Sequence, residues 1–251
     1  MNKFFVPFDH INDSKARIEG DDLRHIYKVL RLTVKDKIII NDSQGTEYLS
    51  EITEINKDNI IVLLKEKLAT NNECNIDIHL FQGMPKLDKM DLVVQKAVEL
   101  GIKSVTPLYT ERVIVKLVEG EYKRLGRLQK IALEACKQSK RTLIPRVNKP
   151  INFNEFLSLK GDFDLIIVPY ENEDKTGLKS ILKSISKEKT KKIAVVIGPE
   201  GGFSEYEIES LKEVGAKIIT LGPRILRTET AGLVCTSLLM YEFGDLGGIN
   251  T

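Results

Sequence analysis

Residues 198–204 read Gly198-Pro199-Glu200-Gly201-Gly202-Phe203-Ser204, and residues 221–231 read Leu221-Gly222-Pro223-Arg224-Ile225-Leu226-Arg227-Thr228-Glu229-Thr230-Ala231. Each stretch follows a short apolar run, 193–197 and 216–221, rich in the β-branched residues of buried parallel strands, and each opens a helix. Loops at the carboxyl ends of such strands are where open α/β sheets take up ligands. Glycines let a ligand approach the backbone, and the first amides of the following helix are unused donors. Two such loops on one sheet can hold one small molecule.

Working outward, the alternation of strand and helix runs from residue 76 to about 243. Strands are predicted at 76–81, 105–109 and 164–168 besides the two above, with helices near 90–101, 122–138, 178–185, from Ser204, and about 230–243. Ser204 followed by Glu207 makes a capping box. Strand and helix in alternation imply right-handed crossovers onto a parallel sheet, an α/β fold. Before residue 70 the pattern is different. Short strands at 37–40, 47–55 and 59–64, turns at 42–45 and 56–58, and one helix at 21–30 describe a small β-rich, barrel-like module. The polar stretch 68–75 reads as a linker, giving one domain over 1–70 and another over 75–251.

The chain has 251 residues, 42% hydrophobic and 29% charged, enough to bury a large core without resembling a disordered or membrane-spanning composition. Cys74, Cys136 and Cys235 are widely spaced and offer neither zinc-ligand nor dithiol spacing. No metal site is expected. Such cysteines fit a reducing cytoplasm, and with no apolar leader or span in the sequence no membrane partner is expected. The net charge is +2, but residues 112–149 carry eleven Lys or Arg against Glu119, Glu121 and Glu134, a local excess of +8. A solvated helix face accounts for such a run in the ordinary case. Here it ends in Lys137-Gln138-Ser139-Lys140-Arg141-Thr142-Leu143-Ile144-Pro145-Arg146, where cations and hydroxyls crowd past a helix end in a mixture that suits phosphate contacts.

Neither a Gly-x4-Gly-Lys-Ser/Thr loop nor a Gly-x-Gly-x-x-Gly turn after a strand occurs, which removes the commonest nucleotide-binding readings. Taken alone, 198–202 is equally a tight turn. Taken together, GPEGGFSEYE (198–207), LGPRILRTETA (221–231), QGMPKLDKMDLVVQKAVELG (82–101) and EACKQSKRTLIP (134–145) resemble the ribosomal small-subunit methyltransferase E family of the SPOUT superfamily. HIYKVLRLTVKDKIIINDSQGTEYLSEI (25–52) is similar to that family's PUA-like RNA-binding module. The resemblance spans nearly the whole chain.

That resemblance implies methyl transfer from S-adenosylmethionine to N3 of a uridine in 16S ribosomal RNA, naked or in the assembled small subunit, by a homodimer whose C-terminal sheet carries a deep trefoil knot. It places the cofactor against Gly198, Pro199, Glu200, Gly201, Gly202, Leu221, Gly222, Ile225 and Leu226, with Val168 and Pro169 as a further wall. It implies RNA contacts at Lys3, Arg24, Arg31, Lys140, Arg141 and Arg146. Two positions depart from the family pattern. Lys3 precedes Phe4-Phe5 where the family has arginine, and Lys140 stands where it commonly has glycine.

The sulfonium methyl is already reactive, so the protein's tasks are in-line placement and exclusion of water, together with help for the N3 proton to leave. Arg227 and Arg224 stay protonated and can stabilise negative charge on uracil or hold a phosphate. Glu200 and Glu229 are the available carboxylates, and either can instead serve structure, as a partner to these arginines or at a helix start. The histidines, His10 and His79 in strand-like contexts and His25 on the small module's helix, offer no base. A related SPOUT enzyme acting on another RNA or base atom, and a non-catalytic RNA-binding protein of the same fold, are the alternatives.

Overall fold

The structure, a computed structural model, describes residues 1–69, 72–86, 89–113 and 122–248, with the side chains of all of these except residues 122 and 123. The chain forms two compact units, one of Met1–Glu73 with Cys136–Ile144, the other of Cys74–Ala135 with the residues from Pro145 onward. The stretch Cys136–Ile144, assigned from sequence to the second domain, therefore belongs to the first unit. Among the described residues no helix is long and apolar enough to cross a membrane.

The first unit holds β1 (Lys3–Phe5), β2 (Ile11–Asn12), β3 (Lys15–Ile18), α1 (Asp21–Arg24) continuing as a π-helical turn over His25–Leu30, β4 (Lys37–Asn41), β5 (Glu47–Ile55) and β6 (Ile60–Leu68). They form one sheet in the order β1-β4-β5-β6-β3-β2. All neighbours are antiparallel except β1 and β4. Period-2 alternation places Ala16, Ile18, Ile38, Ile40, Ile60 and Val62 on one buried side, closed by Ile26 of the π-helical turn. The strands before residue 21 have two to four residues, too short to show a period, and went unpredicted. His10 ends a 3-10 turn there rather than lying in a strand.

The second unit runs β7 (Asp77–Gly83), α2 (Lys89–Glu99), β8 (Ser104–Tyr109), α3 (Tyr122–Gln138), β9 (Arg146–Val147), β10 (Ile151–Asn152), α4 (Phe153–Ser158), β11 (Leu165–Pro169), α5 (Leu178–Ser184), β12 (Lys192–Ile197), α6 (Glu205–Glu213), β13 (Lys217–Ile219) and α7 (Thr228–Phe243). The sheet order is β10-β8-β7-β12-β11-β13, with β9 also on β8, and every pairing is parallel. Ile193 to Ile197 of β12 are all buried, as expected of a strand covered on both faces.

On one face Phe81, Ile166, Val168, Ala194 and Val196 pack with Phe153 and Phe156 of α4 and Ile208 and Leu211 of α6. On the other, α7 leaves the edge strand β13 and returns to lie against β7, β12 and α2. The Ser204 capping box forms, with Ser204 Oγ accepting from Glu207 N–H at 3.3 Å and Glu207 Oε2 accepting from Ser204 N–H at 2.9 Å. A second, Asn152 with Glu155, starts α4, which the periodicity had not revealed in six residues. The last strand is shorter than predicted, because Thr220 and Leu221 leave the ladder for the following loop.

Candidate active site

The adjacent strands β12, β11 and β13 end at Ile197, Pro169 and Ile219, with Pro169 in register with Ile219. The segments that follow, 170–177, 198–203 and 220–227, leave the same edge of the sheet. Pro169 is half-buried at that edge, as a wall requires. Val168, beside it, is fully buried within the α4/α6 core.

The glycine loop is packed tightly against its own protein. Glu200 Oε1 accepts the Lys86 N–H at 3.0 Å and lies 3.6 Å from Lys89 Nζ, which also stands 3.2 Å from Glu229 Oε2. Burial alone raises the Glu200 pKa, but the Lys86 amide and the Lys89 ammonium outweigh it and hold the carboxyl below the usual carboxylate range. Arg112 Nη1 donates to Gly201 O at 3.2 Å, and a Cβ on Gly201 would stand 3.1 Å from Arg112 Cβ. Gly202 has φ +69°, and a Cβ there would lie 2.2 Å from Glu171 Oε1. A side chain at Gly201 would therefore press on Arg112 as well as on any ligand taken up there.

The second loop is open where the first is closed. Gly222 has φ +125° and nothing within 4 Å of the place a Cβ would take. Ile225 is 85% exposed, Leu221 and Leu226 are half-buried, and within the described residues their three backbone amides donate to nothing. Unused donors, an apolar side chain and a vacant glycine flank fit a planar heterocycle with ring acceptors, the adenine half of the expected cofactor. Arg224 and Arg227 are exposed, and among the described residues neither is in an ion pair. Thr228 locks the two loops together: its Oγ1 donates to Gly198 O at 2.5 Å and accepts from Gln82 Nε2 at 2.8 Å.

Sequence reading named neither Lys89, Thr228 nor Gln82 as functional, although all three lie inside the motif blocks it singled out. Arg112 and Glu171 carried no signal, since each reaches the loop from the end of a different strand. Among the described residues no cluster of His, Cys, Asp and Glu has the makings of a metal site.

Of the residues expected to touch RNA, Arg24, Arg31, Lys140 and Arg146 are exposed. Lys3 and Arg141 are not. Arg141 is 5% exposed, with Nη2 2.5 Å and Nε 3.2 Å from Glu73 Oε2, while Glu73 Oε1 accepts the amides of Thr142 and Leu143 at 2.8 and 2.9 Å. Lys3 is paired with the buried Glu47 and donates to the Lys140 and Arg141 carbonyls at 3.3 and 3.2 Å. A guanidinium spent on the half-buried Glu73 and an ammonium spent on the buried Glu47 are not available to phosphates, so both expectations are corrected. These groups fix the turn that carries Lys140, whose φ of +60° explains the glycine common at that position.

A family model for an RNA methyltransferase domain matches residues 72–240, and one for an RNA methyltransferase PUA domain matches 18–65. The ribosomal RNA small subunit methyltransferase E of Bacillus subtilis is 38% identical over 99% of both chains. The chain belongs to the ribosomal RNA small subunit methyltransferase E family. Solved structures agree. A family member from Neisseria gonorrhoeae bound to S-adenosyl methionine superposes with a TM-score of 0.83 at 32% identity, covering 97% of this chain and 98% of that one. A Legionella pneumophila methyltransferase in complex with the cofactor SAM gives 0.85 at 29% identity, with coverages of 97% and 98%. The family's methyltransferase domain is therefore the second unit's parallel sheet, and its PUA domain the β-rich first unit.

Proposed function

We propose that this methyltransferase takes its methyl group from S-adenosylmethionine and places it on N3 of a uridine in 16S ribosomal RNA, as a cytoplasmic homodimer. The observation that carries the reading is the pair of unpaired arginines, Arg224 and Arg227, on the open loop beside Gly222. The cofactor, when bound, supplies an electrophilic methyl sulfonium. Leu221, Ile225 and Leu226 would hold it by backbone donors and apolar contact, with Gly222 and Pro169 flanking it. Glu200 is engaged by Lys86 and Lys89 and held anionic at low basicity, which favours a role in fixing the loop over proton abstraction. Arg227 remains as the group able to stabilise the uracil anion as N3 loses its proton, with Arg224 beside it to hold the base or a phosphate. The return of α7 from the edge strand to the sheet's centre supports a threaded C-terminal segment, and the reading includes the trefoil knot and the division of labour between an RNA-binding domain over 1–70, completed by Cys136–Ile144, and a catalytic domain over the rest of 75–251.

The deciding experiment maps methylated nucleotides in 16S rRNA from a strain lacking the gene. Loss of one N3-methyluridine, restored in vitro by the purified protein with S-adenosylmethionine, is the expected result. A missing mark on another base atom or another RNA would overturn the substrate assignment.

A further inference from the structure

Lys89 opens α2 between two carboxylates, one from the glycine loop and one from the start of α7. Its Nζ lies 3.6 Å from Glu200 Oε1 and 3.2 Å from Glu229 Oε2. The two acids do not depend on it equally. Glu200 Oε1 also accepts the Lys86 N–H at 3.0 Å, and its side chain is 26% exposed, so an amide and solvent share its charge. The Glu229 side chain is 13% exposed, and its Oε2 is sealed from solvent and accepts no hydrogen bond among the described residues. Within those residues Lys89 is the one cation at ion-pair distance from it. A buried carboxylate oxygen without a counter-charge costs far more than an exposed ion pair gains. Without Lys89, therefore, Glu229 has to leave its place for another cation.

The cation within reach is Arg227. It caps α7 two residues before Glu229, which lies in the first turn of that helix. The positive end of a helix is an unfavourable place for a free guanidinium, so Arg227 gains from any carboxylate offered to it, and its planar fork fits a carboxylate better than an ammonium does. Yet Arg227 is exposed and, among the described residues, in no ion pair. Lys89 accounts for this. With Glu229 already balanced by the ammonium and Glu200 anchored on the Lys86 amide, the guanidinium has no carboxylate to close on.

We propose that Lys89 is a positioning residue for methyl transfer, which by holding Glu229 keeps Arg227 unpaired and able to meet the negative charge that develops on the uracil. This rests on the function proposed above, in which Arg227 stabilises that charge, and names what holds Arg227 ready. Lys89 acts through Arg227 and does not itself have to touch the base.

Phenylglyoxal, which modifies accessible guanidinium groups, reads the state of Arg227 without cofactor or RNA, and peptide mass spectrometry separates Arg227 from Arg224. In the full chain, Lys89→Met should slow the labelling of Arg227 by up to about fivefold, the scale of an exposed ion pair, and leave Arg224 unchanged. Single-turnover methylation of 16S rRNA should fall by a similar factor, since only the unpaired fraction of Arg227 can act. Lys89→Arg should restore both. The deciding variant combines Lys89→Met with Glu229→Gln, so that the freed carboxylate is gone, and both readings should return towards those of the wild type. It buries no unbalanced charge, and so serves where Lys89→Met alone does not fold; measured against Glu229→Gln alone, the added Lys89→Met should then be silent. A lysine that only held the fold together would, when replaced, lower the melting temperature and leave Arg227 labelling as it was. That result overturns the proposal, as does a double variant that recovers nothing. A wild type whose Arg227 labels freely but which methylates no uridine N3 would overturn the function proposed above, while the labelling comparison still decides the role of Lys89.

Discussion

Arg227 and Arg141 differ only in surroundings, and the surroundings assign them opposite tasks. Arg227 is exposed and, among the described residues, unpaired, so Arg227→Ala should alter stability by no more than about 0.5 kcal/mol. In calorimetry the variant should still bind S-adenosylmethionine, while single-turnover methylation falls about a hundredfold or more, the scale for one lost charge-stabilising donor. An undiminished rate would remove it from the chemistry. Arg141 is inside a buried ion pair, and Arg141→Ala leaves Glu73 charged and unmatched, a loss of about 3 kcal/mol or more in denaturant unfolding. Burial raises the Glu73 pKa, but Arg141 and the Leu143 and Thr142 amides together outweigh it and hold the carboxyl below its ordinary value. A depressed carboxyl stabilises the fold fully above its unfolded pKa and loses that contribution as pH falls through the folded one. Glu73→Gln should therefore lower stability at neutral pH and flatten its decline below about pH 4.5. A decline as steep as the wild type's would show that Glu73 is not the titrating group.

Among the elements, the start of α7 and the two loops act as one piece. Thr228→Val preserves shape but leaves the Gly198 carbonyl and the Gln82 amide without their shared hydroxyl, at a cost of about 1–3 kcal/mol seen as a lower melting temperature and weakened cofactor binding. Gly222→Ala should act on fold and ligand together. At φ +125° any side chain strains the backbone and lowers stability, while the methyl group also enters the vacant flank, so cofactor affinity should fall in the folded variant, and equal affinity would place the pocket elsewhere. How far the sequence foretold these elements follows from their length. α3 is long enough for its period to show and β7 and β12 for their apolar runs, and the Ser204–Glu207 box is a local code that needs no tertiary knowledge. β9, β10 and α4 span two to six residues and are held by neighbours, leaving no period to read. The site divides in the same way. Gly222, Arg224 and Arg227 lie in one motif, where a sequence can propose them, whereas Arg112 and Glu171 approach the glycine loop from the ends of distant strands. The burial of Arg141 was equally hidden, because a basic run gives no hint of which cation meets a buried carboxylate.

At the scale of the whole molecule the question is how many copies the proposed enzyme needs. In the second unit, Leu92 of α2 is 44% exposed, and Leu238 and Tyr241 of α7 are 43% and 67% exposed, on two helices that pack side by side. Ile225, at 85%, adds the most exposed apolar side chain of the open loop, a few residues before α7 begins. A sheet face already covered by α2 and α7 has no internal use for these side chains, and a second copy presenting the same surface across a two-fold axis would bury them. Light scattering at micromolar concentration should then give twice the 28.4 kDa of one chain. Replacing Leu238 and Tyr241 with Lys and Glu should return the mass to that of a monomer without unfolding it, since neither side chain contributes much to the core. If the dimer covers Ile225, the monomeric variant should also lose affinity for S-adenosylmethionine, because the loop's exposed apolar side chain would then lack its cover. A wild type that scatters as a monomer would refute the assembly, and a monomeric variant with unchanged cofactor affinity would separate the dimer contact from the cofactor loop.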